Sequence, residues 1–85
     1  MSASLYTHPL LGGEIGEWTW CFRCERVYRT EQWIAHDWTC PGCIAGPVDA
    51  FGWSQEAWPR SQHPEYPVTP IEGMQYTRRA AVQAH

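Results

Sequence analysis

Two Cys-x-x-Cys pairs, Cys21 with Cys24 and Cys40 with Cys43, lie fifteen residues apart and constrain this chain more than any other feature. Two thiolates three residues apart on a tight turn can fill two corners of a tetrahedron around one ion. A second such turn completes the shell, and the gap is long enough to bring the chain back. Pro41 and Gly42 fit that second turn: proline stiffens it and glycine lets it bend. Two disulfides, or four buried thiols, would leave the matched spacing unexplained. A redox-active dithiol would need a βαβ setting that the sequence does not offer.

Length makes such a site important. With 85 residues the chain forms one small domain with little interior, and folds of this size usually add a disulfide, a metal or a partner. The composition, 44% hydrophobic and 18% charged, is not that of a uniformly disordered chain. Its six tryptophans are many for the length. Each can bury roughly 150–250 Å², so a few indoles can make most of a miniature core. Six exceed what so small a fold encloses, which leaves one or two for an interface, where tryptophan is enriched.

The formal charge is −3 with the thiols neutral, and a four-thiolate zinc centre takes it further negative. That argues against wrapping nucleic acid by bulk charge. Residues 1–16 carry no Lys or Arg and no long apolar run. They read as neither a secretory signal nor a membrane span. A cytoplasmic, reducing location is therefore expected, where paired cysteines serve as metal ligands.

Three zones follow. Residues 1–16 form an arm with a flexible Gly12-Gly13-Glu14-Ile15-Gly16 joint. Residues 17–58 hold all the cysteines, tryptophans and phenylalanines. Residues 59–85 form a proline-rich tail, in which Pro64, Pro67 and Pro70 suit an extended polyproline II path and residues 73–85 a short helix. In the middle zone, Trp18–Cys21 alternates bulky and small residues as a half-buried strand does. Residues 25–29 suit a second strand, with the first cysteine pair in the hairpin turn. Thr30–His36 reads as one helical turn capped by Thr30, or as loop. Trp38-Thr39-Cys40 reads as a returning strand. Residues 49–53 read as a last strand with Phe51 and Trp53 on one face and Ala50 and Gly52 on the other. The expected fold is a small metal-stabilised β-rich domain of about three short strands with extended N- and C-terminal arms.

Over residues 18–53 the sequence resembles zinc-ribbon and rubredoxin-like proteins, whose paired turns read Cys-x-x-Cys; Cys40-Pro41-Gly42-Cys43 is close to their Cys-Pro-x-Cys turn. The resemblance implies one metal ion per chain, held by Cys21, Cys24, Cys40 and Cys43. Four thiolates suit zinc and iron alike, and zinc is favoured because the spacing is shorter than rubredoxins generally show. Two departures stand out. Glu25 and Ile44 sit where these turns often carry glycine, which puts the usual left-handed backbone and amide–sulfur geometry in question.

A closed four-cysteine site leaves no position for substrate or activated water. No Ser/His/Asp arrangement, phosphate-binding glycine loop or zinc-hydrolase motif accompanies it, so a non-enzyme is expected. His36 is the one near alternative ligand and reads better as a neighbour; His8, His63 and His85 are scattered. Arg23, Arg26 and Arg29 surround the first turn. They either offset the thiolate charge and pair with Glu17, Glu25 or Glu31, or contact nucleic acid with Trp33, Trp38 or Tyr28 stacking on bases. The reading preferred is a structural-zinc interaction module or accessory subunit of a larger assembly, meeting protein partners through its arms and exposed aromatics. The alternatives are a nucleic-acid-binding ribbon of the transcription or translation machinery and a rubredoxin-like iron electron carrier.

Overall fold

The strand Trp18–Cys21, β3 in chain order, is the element on which the others pack, and its alternation explains why. The computed structural model describes residues 6–77. In it β3 is the centre of a three-stranded antiparallel sheet, flanked by β4 (Val27–Arg29) and β5 (Ala50–Gly52). The register sets Trp20 opposite Val27 and Phe51, and sets Cys21 opposite Ala50. Side chains directly opposite one another share a face. One face therefore carries Trp20, Val27 and Phe51, while the other carries Cys21, Thr19 and Ala50.

Both faces are covered. Cys21 and Ala50 pack with Trp33, Cys40 and Ala45, and Trp20 and Val27 pack with Tyr76. The alternation of Trp18–Cys21 thus marks two different cores, and not the single buried face expected of it. Phe51 and Trp53 do share a face, as their spacing predicts, and both lie against the Trp20 cluster.

The helix α1 (Thr30–Ala35) follows β4 directly. Thr30 does not cap it: Arg29 occupies the cap position and no side chain bonds the first turn. The Thr30 hydroxyl instead donates to the Gly16 carbonyl at 2.7 Å and accepts from Thr19 Oγ1 at 2.6 Å. Burial decides this, because a hydroxyl enclosed against β3 is costly unless it is paired. The expected strand at Trp38–Cys40 is absent among the described residues; Asp37 and Trp38 are both left-handed, at φ of 58°, which strand geometry excludes.

Neither arm is extended over its described part. Residues of the first arm form a small hairpin, β1 (Tyr6–Thr7) with β2 (Glu14–Ile15). His8 locks it: its Nδ1 accepts from the Leu10 and Leu11 amides, so Nε2 carries the proton and donates to the Ala50 carbonyl at 3.0 Å. After β5 the chain folds back through turns, with Ser61, Gln62, His63 and Tyr66 amides bonding carbonyls three or four residues earlier. These bonds are incompatible with polyproline II, which has none. The helix expected over 73–85 lies for its greater part outside the described residues, and 73–77 form a turn and a bridge from Gln75 to Arg26.

Trp20 fastens this returning segment. Its Nε1 donates to the carbonyls of both Glu25 (3.0 Å) and Tyr76 (2.8 Å), and the Tyr76 amide returns a bond to Glu25 at 2.7 Å. Trp20→Phe removes both indole bonds and part of the ring volume. The expected loss is about 2–4 kcal/mol, measured by denaturant unfolding of the metal-loaded protein. Hydrogen exchange should rise selectively at the Tyr76 and Gly73 amides; an unchanged midpoint would show that the segment is anchored elsewhere.

Candidate metal centre

Cys21 ends β3, Cys24 closes the turn that follows, and Cys40 and Cys43 lie on the loop after α1. The fold brings all four sulfurs within 4.8 Å of one another. Cys21 and Cys43 sulfurs are 3.5 Å apart, and Cys24 and Cys40 sulfurs are 3.7 Å apart. A disulfide needs about 2.05 Å. A tetrahedral ion with metal–sulfur bonds of about 2.3 Å needs sulfurs about 3.8 Å apart. The cluster has metal-site dimensions, and its four positions come from one chain.

The two turns are near copies. In each, the first cysteine amide donates to the carbonyl five residues on: Cys21 to Arg26 and Cys40 to Ala45, both at 2.8 Å. In each, the amide four residues on returns a bond, Glu25 to Cys21 and Ile44 to Cys40. Closing so tight a loop requires a left-handed residue, and Glu25 (φ 64°) and Ile44 (φ 61°) supply it. Glycine is thus not needed for the geometry, although a side chain there costs about 1–2 kcal/mol.

Amide–sulfur bonds also form, one in each turn: the Cys24 amide donates to the Cys21 sulfur at 3.4 Å and the Gly42 amide to the Cys40 sulfur at 3.3 Å. The neighbouring amides of Arg23, Arg26, Cys43 and Ala45 add to the pull toward the thiolate. Such bonds favour the thiolate, the form a metal requires. Gly42 serves a purpose other than bending. Its φ is not left-handed, but a Cβ there would lie 2.5 Å from the Tyr28 hydroxyl, so the tyrosine ring can close over the second turn only because no side chain is present.

Burial dominates the electrostatics of the metal-free site. It pushes Cys21 up to about 12 and Cys24 and Cys40 to about 11, against the pull of the amides. Burial raises Cys43 as well, but the Ala45 amide and the three neighbouring thiols outweigh it, so Cys43 ends lower than an ordinary thiol. Nearby Tyr28 is raised, first by burial and then by the Cys40 charge.

The remaining residues singled out in the sequence go to varied places. Arg23 is exposed on the first turn. Arg26 donates to the Gly73 carbonyl at 2.7 Å, which ties β4 to the returning tail. Arg29 lies over the Trp18 ring, 4.6 Å from its centroid, an ordinary cation–π distance. Trp33 is completely enclosed and its Nε1 donates to the Thr19 carbonyl; it has no surface to offer a base or a partner. Trp38 is half-buried against the cysteine cluster. Two of the six tryptophans are fully enclosed, and Trp58 is the most exposed at 40%. His36 is not a ligand: its Nδ1 donates to the Gln32 carbonyl at 2.8 Å.

What the sequence did not indicate is chiefly backbone. The amides that bond sulfur are those of Cys24 and Gly42, and a backbone donor leaves no trace in side-chain type. Ala45 and Ala50, buried beside the sulfurs, are small where the site needs room. Comparison of the chain with protein-family models, curated protein sequences and solved structures gives no match.

A metal entering this site displaces thiol protons, at the least those of Cys21, Cys24 and Cys40, all held at neutral pH by their raised values. The metal-bound state therefore binds fewer protons, and acid favours the metal-free state. The apparent metal affinity should fall about tenfold per pH unit for each displaced proton, hence by about a thousandfold between pH 7 and pH 6 from these three alone. Competition with a chromophoric chelator across that range measures the slope, and a pH-independent affinity would contradict thiolate ligation.

Proposed function

We propose that this chain is a structural-zinc protein of zinc-ribbon type. It acts in the cytoplasm, without catalytic activity, as an interaction module or accessory subunit of a larger assembly. The observation that carries this reading is the closed shell: four sulfurs from one chain at tetrahedral spacing leave no coordination position for substrate or water. Such an ion holds a surface in place, and function then resides in that surface.

The surface supports the reading in two places. Leu10 and Leu11 stand at the hairpin loop, 60% and 81% exposed, on a backbone that His8 fixes. Ile44 is 83% exposed at the tip of the second cysteine turn. It is β-branched and left-handed, where glycine would be cheaper by about 1–2 kcal/mol, and the monomer returns none of that by burying it. An apolar side chain kept in a strained, exposed position suits contact with a partner.

Two measurements test this. Protein purified without added metal should be colourless and contain one zinc per chain. A red protein with thiolate-to-iron charge-transfer bands would replace this reading with that of an electron carrier, since iron–sulfur distances fit the cluster equally well. Ile44→Gly should stabilise the zinc-loaded chain by about 1 kcal/mol and weaken recovery of partners from its own cells. If stability rises while recovery of every partner is unchanged, the second turn is not a contact surface.

A further inference from the structure

Among the described residues, Arg60 is the one charged side chain that the fold encloses without a counter-charge. It is 8% exposed, and its Nε is buried with no hydrogen-bond partner, alone in this among the side-chain atoms of the described residues. No carboxylate of the described residues lies within ion-pair distance of its guanidinium; the nearby Glu65 carboxylate is hydrogen-bonded to His63 Nδ1 at 3.1 Å instead. The Trp53 ring stands 6.0 Å away, from guanidinium carbon to centroid, the outer limit of a cation–π contact. Contact at that distance does not offset the desolvation of a cation, which needs a counter-charge and filled donors to be stable when buried.

Arg60 also lines a cleft of about 300 Å³ together with Gln55, Ser61 and Pro64. That volume lies at the small end of ligand sites and accommodates a group of a few heavy atoms. Its lining offers an amide and a hydroxyl beside the guanidinium. The wall behind Arg60 is stiff: Trp53 is stacked on Tyr66, and Tyr66 on His63, with interplanar angles of 14° and 18°. None of the described residues supplies its guanidinium a counter-charge.

We infer that Arg60 and this cleft form an oxyanion-binding site, which takes the phosphate or carboxylate group of a ligand against the guanidinium, with Gln55 and Ser61 as accessory donors. A guanidinium edge matches either group in two parallel hydrogen bonds. The site stands apart from the metal and does not depend on the metal's identity or on the proposed role as an interaction module.

The test follows the Nε–Hε resonances of the arginines by NMR in the full-length, metal-loaded protein. Inorganic phosphate and acetate are titrated separately, each against sodium chloride at matched ionic strength. The Arg60 signal should shift saturably, with a midpoint of about 1–10 mM, while that of exposed Arg23 should not. Saturation by phosphate alone assigns a phosphorylated ligand, and saturation by acetate assigns a carboxylate. A shift that stays linear to about 100 mM, or that chloride reproduces, overturns the proposal. Arg60→Lys keeps the charge but loses the fork and should weaken binding at least about tenfold. Ser61→Glu, at an exposed position, supplies an anion from the chain itself and should suppress the phosphate response; an undiminished response would place binding outside this cleft. The wild-type titration decides the matter even where a variant fails to fold.

Discussion

Closure of a four-sulfur shell fixes the relation between two stretches of chain that share no hydrogen-bonded ladder. The first cysteine pair grows out of the end of β3, inside the sheet. The second lies on a segment, 36–46, that holds no strand and only the end of a helical turn. Nothing in that segment's own structure would bind it to the sheet. It is held instead by the sulfur cluster, by the packing of Trp38 and Ala45 around it, and by the short loop from Cys40 to Ala45. A metal bound here would do the work that further strands do in a larger domain. Trp33 and Ala50 close over the same sulfurs, so one of the two cores is assembled around the cysteine cluster itself.

The two cysteine turns share a conformation but use it differently. A left-handed non-glycine residue is strained by about 1–2 kcal/mol. At Glu25 the strain coincides with several gains: its carbonyl accepts both the Trp20 indole and the Tyr76 amide. The first turn is therefore the junction at which metal site, central strand and returning chain meet. At Ile44 the same strain coincides with exposure. The difference explains why one turn is internal scaffolding, while the other is free to serve as surface.

The metal site was the most legible part of this chain, because ligand spacing is a property of sequence alone. The positions of β3, β4 and β5 were nearly as clear, since alternation and β-branched or aromatic residues mark them directly. Three things were not legible. Glu25 and Ile44 could not reveal that the turns adopt the left-handed geometry despite lacking glycine, since backbone hydrogen bonds to sulfur and carbonyl outweigh the local preference. Thr30 looked like a helix cap because threonine is among the residues favoured there; its burial against Thr19 overrides that. The proline spacing of the tail suggested an extended path, yet Tyr76 and Tyr66 find a second aromatic face on β3 that no local pattern announces. Tertiary partners decided each of these cases, and tertiary partners have no fixed distance along a sequence.

That second face also separates charge. The cysteine cluster, which with a divalent metal bound would carry roughly minus two, lies on the Cys21 side of β3. Trp20, Phe51 and Trp53 lie on the other, and Arg60 sits beyond Trp53. The central sheet and two layers of apolar side chains thus stand between the chain's most negative centre and its buried cation. Attraction between them does not remove the need for local hydrogen-bond acceptors, since a guanidinium is satisfied only by atoms that touch it. The cysteine cluster and the enclosed cation are consequently independent features of one small fold: the four sulfurs are a complete ligand set drawn from the chain itself, whereas Arg60 meets no counter-charge among the described residues.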